Sequence, residues 1–226
     1  MKSIQIAIDG PAGAGKSTIA KLVAKAFNFV YIDTGAMYRA VTLKAIRLNV
    51  NLADDNAFDF IDQTRFDYID GNLIMDGENV DEMIRTREIS NQVSLVSSHL
   101  SVREKTVKRQ RALSEGKNVV MDGRDIGYHV LPNATFKFFL TADVETRAKR
   151  RYHENLNRNI HSSLEDLKVE IIARDDFDSN RKHSPLRPAD DAIIVDTSDM
   201  SIDEVIETIK AKVREDEALW KQNSQK

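Results

Sequence analysis

The chain has 226 residues and a formal net charge of −3, and it contains no cysteine. This small net charge gives no electrostatic basis for binding a nucleic-acid polymer or an anionic membrane surface. The lack of cysteine excludes disulfides, thiolate metal sites and a cysteine nucleophile. With 41% hydrophobic and 31% charged residues, the composition is typical of a soluble globule with one large α/β domain and an insertion, or two small domains.

The sequence also lacks the usual features of exported and membrane proteins. The N-terminal residues do not resemble a signal peptide, and no apolar run approaches the roughly 20 residues that span a bilayer. We therefore expect a cytoplasmic protein without a membrane partner. We also expect it to be a monomer.

A glycine-rich loop near the N-terminus lies between a predicted strand and a predicted helix. Alternating apolar residues predict the strand over about 2–9, and apolar residues at helical spacing predict a helix that reaches about Phe27. The loop and the start of the helix consist of Gly10, Pro11, Ala12, Gly13, Ala14, Gly15, Lys16, Ser17 and Thr18. This order is the context of a Walker A motif, and a plain strand-to-helix turn is the structural alternative.

The chemistry of this loop indicates binding of a nucleoside triphosphate. Glycine lets the backbone wrap an anion with its N–H groups, and the helix N-terminus adds a partial positive charge. Lys16 can reach the β- and γ-phosphate oxygens, and the Ser17 hydroxyl can ligate Mg²⁺. We therefore expect Gly10 to Thr18 to hold the triphosphate.

The next segments continue the strand and helix order with one interruption. Residues 29–32 predict a second buried strand, and Asp33 is placed to cap the helix after it. Two β-rich runs, 65–69 and 73–75, flank a glycine turn and predict an antiparallel hairpin, which does not fit a parallel sheet. We therefore assign residues 63–95 to a small inserted subdomain.

The second half of the chain supplies the rest of the core. A helical pattern over 87–115, with a break near Ser98, leads to three further predicted strands at about 118–121, 135–140 and 192–195. We therefore expect an α/β fold with a five-stranded parallel sheet flanked by helices. The core would consist of residues 1–62, 96–146 and 182–226.

The segment 147–181 is predicted to form a lid. A basic helix capped by Asp143 and a second helix with a capping box at Ser162–Glu165 flank a polar loop. A lid of this kind closes over phosphates, and a solvated helix face is the alternative. The basic residues that suggest the lid are Arg147, Arg150, Arg151 and Arg158.

Polar clusters follow four of the predicted strands, at the edge where ligands bind to parallel sheets. Asp122 follows the third strand and has the form of a Walker B acid, which holds Mg²⁺ directly or through water. A helix-capping role is the alternative for Asp122. Asp9, at the end of the first strand, is a second candidate for the metal shell.

Arginines suggest a second anion site. Guanidinium groups bind phosphate bidentately, so several of them in one cleft would hold a phosphorylated acceptor. As the alternative, each is a solvated surface residue, and Arg174, Asp178 and Arg181 form an ion-pair ladder on one helix face. The arginines in question lie in separate segments and are Arg39, Arg103, Arg124, Arg174 and Arg181.

Several longer motifs occur in one order along nearly the whole chain. They are Ile8-Asp9-Gly10-Pro11-Ala12-Gly13-Ala14-Gly15-Lys16-Ser17, Asp33-Thr34-Gly35-Ala36-Met37-Tyr38-Arg39, Ile84-Arg85-Thr86, Arg109-Gln110-Arg111, Asp122-Gly123-Arg124-Asp125-Ile126-Gly127, and Arg174-Asp175-Asp176 with Asn180-Arg181 and Ser184-Pro185-Leu186. In these motifs the chain resembles the bacterial cytidylate kinase family of nucleoside monophosphate kinases. The first motif is shared by many enzymes, whereas the second and fifth together are far more specific.

The resemblance implies a P-loop kinase fold and Mg²⁺-dependent phosphoryl transfer from ATP to CMP or dCMP. The insertion would then bind the monophosphate. Lys16 and Arg124 would be catalytic, and Ser17 and Asp122 would hold the metal. Motif by motif, the resemblance implies acceptor-phosphate and pocket contacts at Thr34, Arg39 and Arg124. It implies base contacts at Ser94, Arg103 and Asp125. It implies ribose and phosphate contacts at Arg174, Asp178 and Arg181. Thr34 stands where some relatives have serine, and it keeps the hydroxyl.

Two other functions fit the P-loop alone. One is a kinase for a different small molecule, such as UMP or a metabolite hydroxyl, and a hydroxyl acceptor would need a positioned carboxylate base. The other is a non-catalytic nucleotide switch. The guanine-reading Asn-Lys-x-Asp sequence of such switches is absent here, and a switch would leave the arginines unexplained.

Overall fold

The computed structural model describes residues 3–69, 71–157 and 160–223, with side chains up to residue 215. The start of the first strand at Lys2, the hairpin residue Asp70, the lid residue Arg158 and the last three residues of the tail lie outside the described residues. None of the helices in the described ranges is long and apolar enough to cross a bilayer.

The described residues form eight β-strands and seven α-helices. The strands are β1 Gln5–Asp9, β2 Val30–Asp33, β3 Phe66–Ile69, β4 Asn72–Met75, β5 Glu78–Asn79, β6 Val119–Gly123, β7 Phe136–Thr141 and β8 Ile193–Asp196. The α-helices are α1 Lys16–Phe27, α2 Thr34–Arg47, α3 Arg87–Ser98, α4 Leu100–Ser114, α5 Val144–Asn157, α6 Leu164–Asn180 and α7 Ile202–Asn223.

The main sheet confirms the predicted fold class. It has five parallel strands in the order β2-β6-β1-β7-β8. Strand β1 lies at its centre, and side chains alternate between the two faces. Ile6 and Ile8 pack with α1 and α7 on one face, whereas Ala7 packs with α2 on the other. The carboxyl ends of β1, β2 and β6 therefore meet at one edge, directly in front of α1 and α2.

A second, three-stranded sheet interrupts the parallel order where the hairpin was predicted. Strands β3, β4 and β5 pair antiparallel, which fits an inserted subdomain. The predicted break in the helical stretch is also confirmed, because His99 has extended backbone between α3 and α4. Two 3₁₀ helices, Asp55–Ala57 and Asp59–Gln63, lie between α2 and the inserted sheet.

Helices α5 and α6, which carry the predicted lid residues, pack against each other through Ala148, Leu167 and Ile171. The predicted capping box is wrong by one residue. Ser163 is the N-cap of α6 and accepts a hydrogen bond from the Asp166 N–H, because the helix begins one residue later than the serine pair suggests. The division into core, insertion and lid stays a prediction.

Asp9 has a structural role that the sequence did not indicate. Its two carboxylate oxygens accept hydrogen bonds from the backbone N–H groups of Ile126 and Gly127, each at 2.8 Å. Burial raises the pKa of Asp9 to about 7, although these backbone hydrogen bonds oppose the shift. Asp9 therefore anchors the turn after β6 onto β1, and this disfavours a place for it in a metal shell.

We expect Asp9→Ala to destabilise the fold, because it leaves two buried N–H groups without an acceptor. Each such group costs about 1–3 kcal/mol. Urea unfolding followed by circular dichroism measures the loss, with exposed Asp199 changed to alanine as the matched control. An Asp9→Ala protein as stable as the Asp199→Ala protein would contradict the structural role.

Candidate active site

The glycine-rich loop joins β1 to α1 and fits closely against the end of β7. Gly10 has a φ of 147°, and a Cβ atom there would lie 2.0 Å from the carbonyl oxygen of Leu140. Only glycine is therefore compatible with this position. Lys16 is buried, and its Nζ donates a hydrogen bond to the Pro11 carbonyl at 2.7 Å. Burial and the neighbouring Arg124 lower the pKa of Lys16 well below its ordinary value.

Asp122 lies at the carboxyl end of β6, and both of its carboxylate oxygens accept hydrogen bonds. Its Oδ2 accepts from the Ser17 hydroxyl at 2.8 Å, and its Oδ1 accepts from the Tyr31 hydroxyl at 2.8 Å. Thr34 Oγ1 donates to the Asp122 carbonyl at 2.7 Å. Burial and the neighbouring Asp33 raise the pKa of Asp122 to about 6. The side chain thus joins the start of α1 to β2, and the main-chain carbonyl joins β6 to the start of α2.

Ser17 and Asp122 fit a Mg²⁺ ion chemically. Mg²⁺ prefers oxygen ligands and binds proteins through one or two carboxylates, and the Ser17 hydroxyl and the Asp122 carboxylate lie in contact behind the glycine-rich loop. Tyr31 was not predicted to take part in this group. Its place in an apolar strand gives no indication that its hydroxyl reaches across to the next strand.

A cavity beside Asp122 brings together most of the predicted substrate residues. Eight of the nine line it, namely Thr34, Arg39, Arg103, Arg124, Asp125, Arg174, Asp178 and Arg181. Ser94 is not among the described residues that line this cavity, whereas Ser97, nearly one helical turn further on, is. The base-reading role assigned to Ser94 stays a prediction.

The inner part of the cavity is a buried ion-pair cluster around Asp125. Its carboxylate accepts a hydrogen bond from Arg103, and Arg181 Nη2 lies 3.8 Å from Asp125 Oδ1. Arg103 is 1% exposed, and its guanidinium lies 5.5 Å from the centre of the Tyr38 ring. A buried carboxylate between two guanidiniums forms a rigid hydrogen-bonding surface.

The outer part of the cavity carries an excess of positive charge. Asp178 accepts a hydrogen bond from Arg124 at 2.9 Å and lies 4.0 Å from Arg174. Burial and repulsion from Arg124 lower the pKa of Arg174 to about 10. Among the described residues, no hydrogen-bond acceptor is found for the buried Nε atoms of Arg174 and Arg39. These donors point to an anionic ligand, and the surface-ladder alternative does not fit buried Asp178.

The predicted lid arginines have different surroundings. Arg147 is buried, and its guanidinium donates to the carbonyls of Ala142 and Ala12 and to the Asp175 carboxylate. Arg150 donates to the side chain and the carbonyl of Thr197. The alternative that Arg147 lies on a solvated helix face is therefore wrong. Its hydrogen bonds join α5 and α6 to the glycine-rich loop.

Solved structures of other proteins share this fold. A gluconokinase from Sinorhizobium meliloti 1021 superposes with a TM-score of 0.50 at 16% identity, covering 97% of each chain. An uncharacterized protein from Eubacterium ventriosum superposes with a TM-score of 0.52 at 14% identity, covering 95% of this chain and 99% of that one. At such low identity these likenesses show the fold alone.

Proteins related in sequence share far more identical residues with this chain than those solved structures do. Residues 6–215 match the family model of cytidylate kinase. The cytidylate kinase of Halalkalibacterium halodurans is 52% identical over 220 residues, which is 95% of this chain and 99% of that protein. That of Bacillus subtilis is 52% identical over 219 residues, covering 95% and 98%. With half of its residues shared with such enzymes over nearly their full length, the chain belongs to the cytidylate kinase family.

Proposed function

We propose that this protein transfers the γ-phosphoryl group of ATP to CMP or dCMP, giving ADP and CDP or dCDP, with Mg²⁺. One observation supports this above the others: a buried, arginine-lined cavity with a hydrogen-bonded carboxylate at its inner end lies beside a complete P-loop. The two relatives named above are both cytidylate kinases. A cavity with arginines and a buried carboxylate suits the phosphate and the base of CMP.

The donor side of the reaction follows from the glycine-rich loop. Backbone N–H groups and the N-terminus of α1 would hold the ATP phosphates, and Lys16 would leave the Pro11 carbonyl to bind the transferred group. Ser17 and Asp122 would hold Mg²⁺, which would neutralise negative charge on the ATP phosphates. Lys16 and Arg124 then stabilise the charge that develops during transfer.

The acceptor side follows from the two halves of the cavity. Arg39, Arg124 and Arg174 would bind the monophosphate, since all three line the cavity and the buried Nε atoms of Arg39 and Arg174 lack an acceptor among the described residues. Asp125 and Arg103 would face the base. The attacking phosphate oxygen is already anionic, so positioning and charge neutralisation suffice and no general base is required.

Hydrogen-bond polarity favours cytosine over uracil at this site. Cytosine offers an amino donor at position 4 and an acceptor at N3, whereas uracil offers the reverse. A carboxylate only accepts and a guanidinium only donates, so Asp125 and Arg103 match cytosine. Phosphorylation of UMP is therefore the disfavoured alternative.

We expect Lys16→Ala to keep the fold and lose turnover. Removing the positive charge that stabilises the transferring phosphoryl group should lower kcat by roughly 10²- to 10³-fold. Steady-state kinetics with ATP and CMP measures the loss, with exposed Lys117 changed to alanine as the control. If the kcat of the Lys16→Ala enzyme were within about threefold of the kcat of the Lys117→Ala enzyme, the assignment of the P-loop would be contradicted.

We expect Asp125→Asn to shift specificity from CMP towards UMP, because an asparagine NH₂ group can donate to uracil O4. The CMP-to-UMP ratio of kcat/KM should fall by about 10² or more, since sites that read polar groups reject a mismatch by roughly 10² to 10⁵. The KM for ATP should barely change.

The control for this experiment is exposed Asp190 changed to asparagine, and thermal unfolding of both variants tests whether the ion pair with Arg103 is needed for folding. A folded Asp125→Asn enzyme that keeps the wild-type ratio would remove Asp125 from base recognition.

The arginine-lined cavity beside Asp122 is called the acceptor cavity below. We expect ATP and CMP together to order helix α6, because Arg174 and Asp178 line the acceptor cavity from this helix. Amide hydrogen exchange within Leu164–Asn180 should slow markedly with both ligands and less with either one alone. Exchange in the central strand β1 serves as the internal reference. Equal exchange in α6 with and without ligands would rule out a closing lid.

A further inference from the structure

A second cavity lies away from the reaction site, beside the edge strand β2. Its volume is about 450 Å³, which falls within the range of small-molecule sites. It is bounded by α1, by β2 and by the hairpin of the inserted sheet, and none of its lining residues lines the acceptor cavity. The residues that give it chemical character are Lys21, Lys25, Phe29, Tyr31, Tyr68 and Asn72.

The two lysines supply positive charge on one side of this cavity. Lys21 and Lys25 are one helical turn apart on the exposed side of α1. Neither forms an ion pair with another residue in the described part of the chain, although Lys21 Nζ lies 5.6 Å from the centre of the Tyr31 ring. This spacing suits a ligand that carries two or more neighbouring anionic groups.

The rest of the lining suits a planar ring. Phe29, Tyr31 and Tyr68 contribute aromatic side chains, and Asn72 contributes an amide that both donates and accepts hydrogen bonds. Aromatic side chains stack with nucleobases at roughly 1–3 kcal/mol per base. The cavity therefore combines cations, aromatic surface and one polar group of mixed character.

The two tyrosines connect this cavity to the reaction site. The Tyr31 hydroxyl donates to Asp122, and the Tyr68 hydroxyl donates to the Asp33 carbonyl at 2.6 Å. Asp33 in turn caps α2 and pairs with Arg39 at 3.3 Å. A ligand that moves either ring would displace a hydroxyl bound to the reaction site.

We propose that this cavity is a second binding site for a nucleoside polyphosphate. Its phosphates would lie on Lys21 and Lys25, and its base would lie against the aromatic rings. Such a ligand would bridge α1 and the inserted sheet, hold the sheet in one orientation, and lower kcat through Tyr31 and Tyr68. This proposal goes beyond the proposed function and does not depend on it.

Calorimetric titration with CTP tests the site. The enzyme is first saturated with a bisubstrate analogue in which adenosine and cytidine are joined through their 5′-phosphates, so that the donor and acceptor sites are filled. We expect one further CTP site per chain. The double variant Lys21→Ala/Lys25→Ala should bind CTP at least tenfold more weakly, which corresponds to about 1.4 kcal/mol.

The matched control is Lys108→Ala/Lys117→Ala, which removes the same charge from exposed positions elsewhere and should keep the wild-type affinity. Equal affinity in both double variants, or no CTP binding to the saturated enzyme, would overturn the proposal. Tripolyphosphate binding as tightly as CTP would overturn the assignment of the ring. If the analogue does not bind, the proposed function fails, and the difference between the double variants still tests the cavity.

Kinetics provides a second readout at saturating ATP and CMP. We expect CTP to lower kcat in the wild type and in the control variant. The Lys21→Ala/Lys25→Ala enzyme should have the wild-type kcat without CTP and lose the response to it. The same inhibition in all three proteins would place the effect of CTP at the reaction site and contradict the proposal.

Discussion

The position of the reaction site depends on the carboxylate of Asp122, because it joins the ends of neighbouring strands. Ser17 reaches it from the helix after β1, and Tyr31 reaches it from β2. A buried carboxylate is costly unless its oxygens accept hydrogen bonds, so the two hydroxyls fix its direction as well as stabilise it. The ends of β2 and β6 and the start of α1 are thereby held around one side chain. Phosphoryl transfer needs such alignment more than it needs reactive groups.

Charge balance explains why the acceptor cavity suits an anion. Five arginines line it, and four of them share two buried aspartates, Asp125 and Asp178, whereas Arg39 pairs with Asp33. Burial and repulsion from Arg124 lower the pKa of Arg174 to about 10, so its positive charge is unfavourable in the cavity. A bound phosphate would relieve that repulsion and supply acceptors to the unpaired N–H groups. The inner end differs, because Arg103 is paired with Asp125 and is thereby oriented before any ligand arrives.

Patterns along the sequence predicted the sheet, the inserted hairpin, the glycine-rich loop and the broken helix before α4, because each depends on local periodicity or on glycine. They also placed Asp122 at a strand end. They could not predict that Tyr31 reaches across to the neighbouring strand, that Asp9 binds the backbone of a turn 117 residues later, or that Arg147 is buried. These contacts depend on side-chain direction between segments distant in sequence. Side-chain direction also decides between Ser94 and Ser97. Both lie on α3, and only the packed helix shows that Ser97 lines the cavity.

The inserted sheet and helix α5 are each hydrogen-bonded to a main-chain carbonyl at the edge of the reaction site. Tyr68 donates to the Asp33 carbonyl from the insertion, and Arg147 donates to the Ala12 carbonyl from α5. The Ala12 carbonyl belongs to the glycine-rich loop and the Asp33 carbonyl to the turn from β2 into α2, and both would flank the phosphates in the proposed reaction. A buried carbonyl needs a partner, so neither segment can move without loosening the loop that it holds. The two substrate loops are therefore coupled to the two surrounding segments, and closure over the substrates would tighten the loops at the moment when water must be excluded from the transferring phosphoryl group.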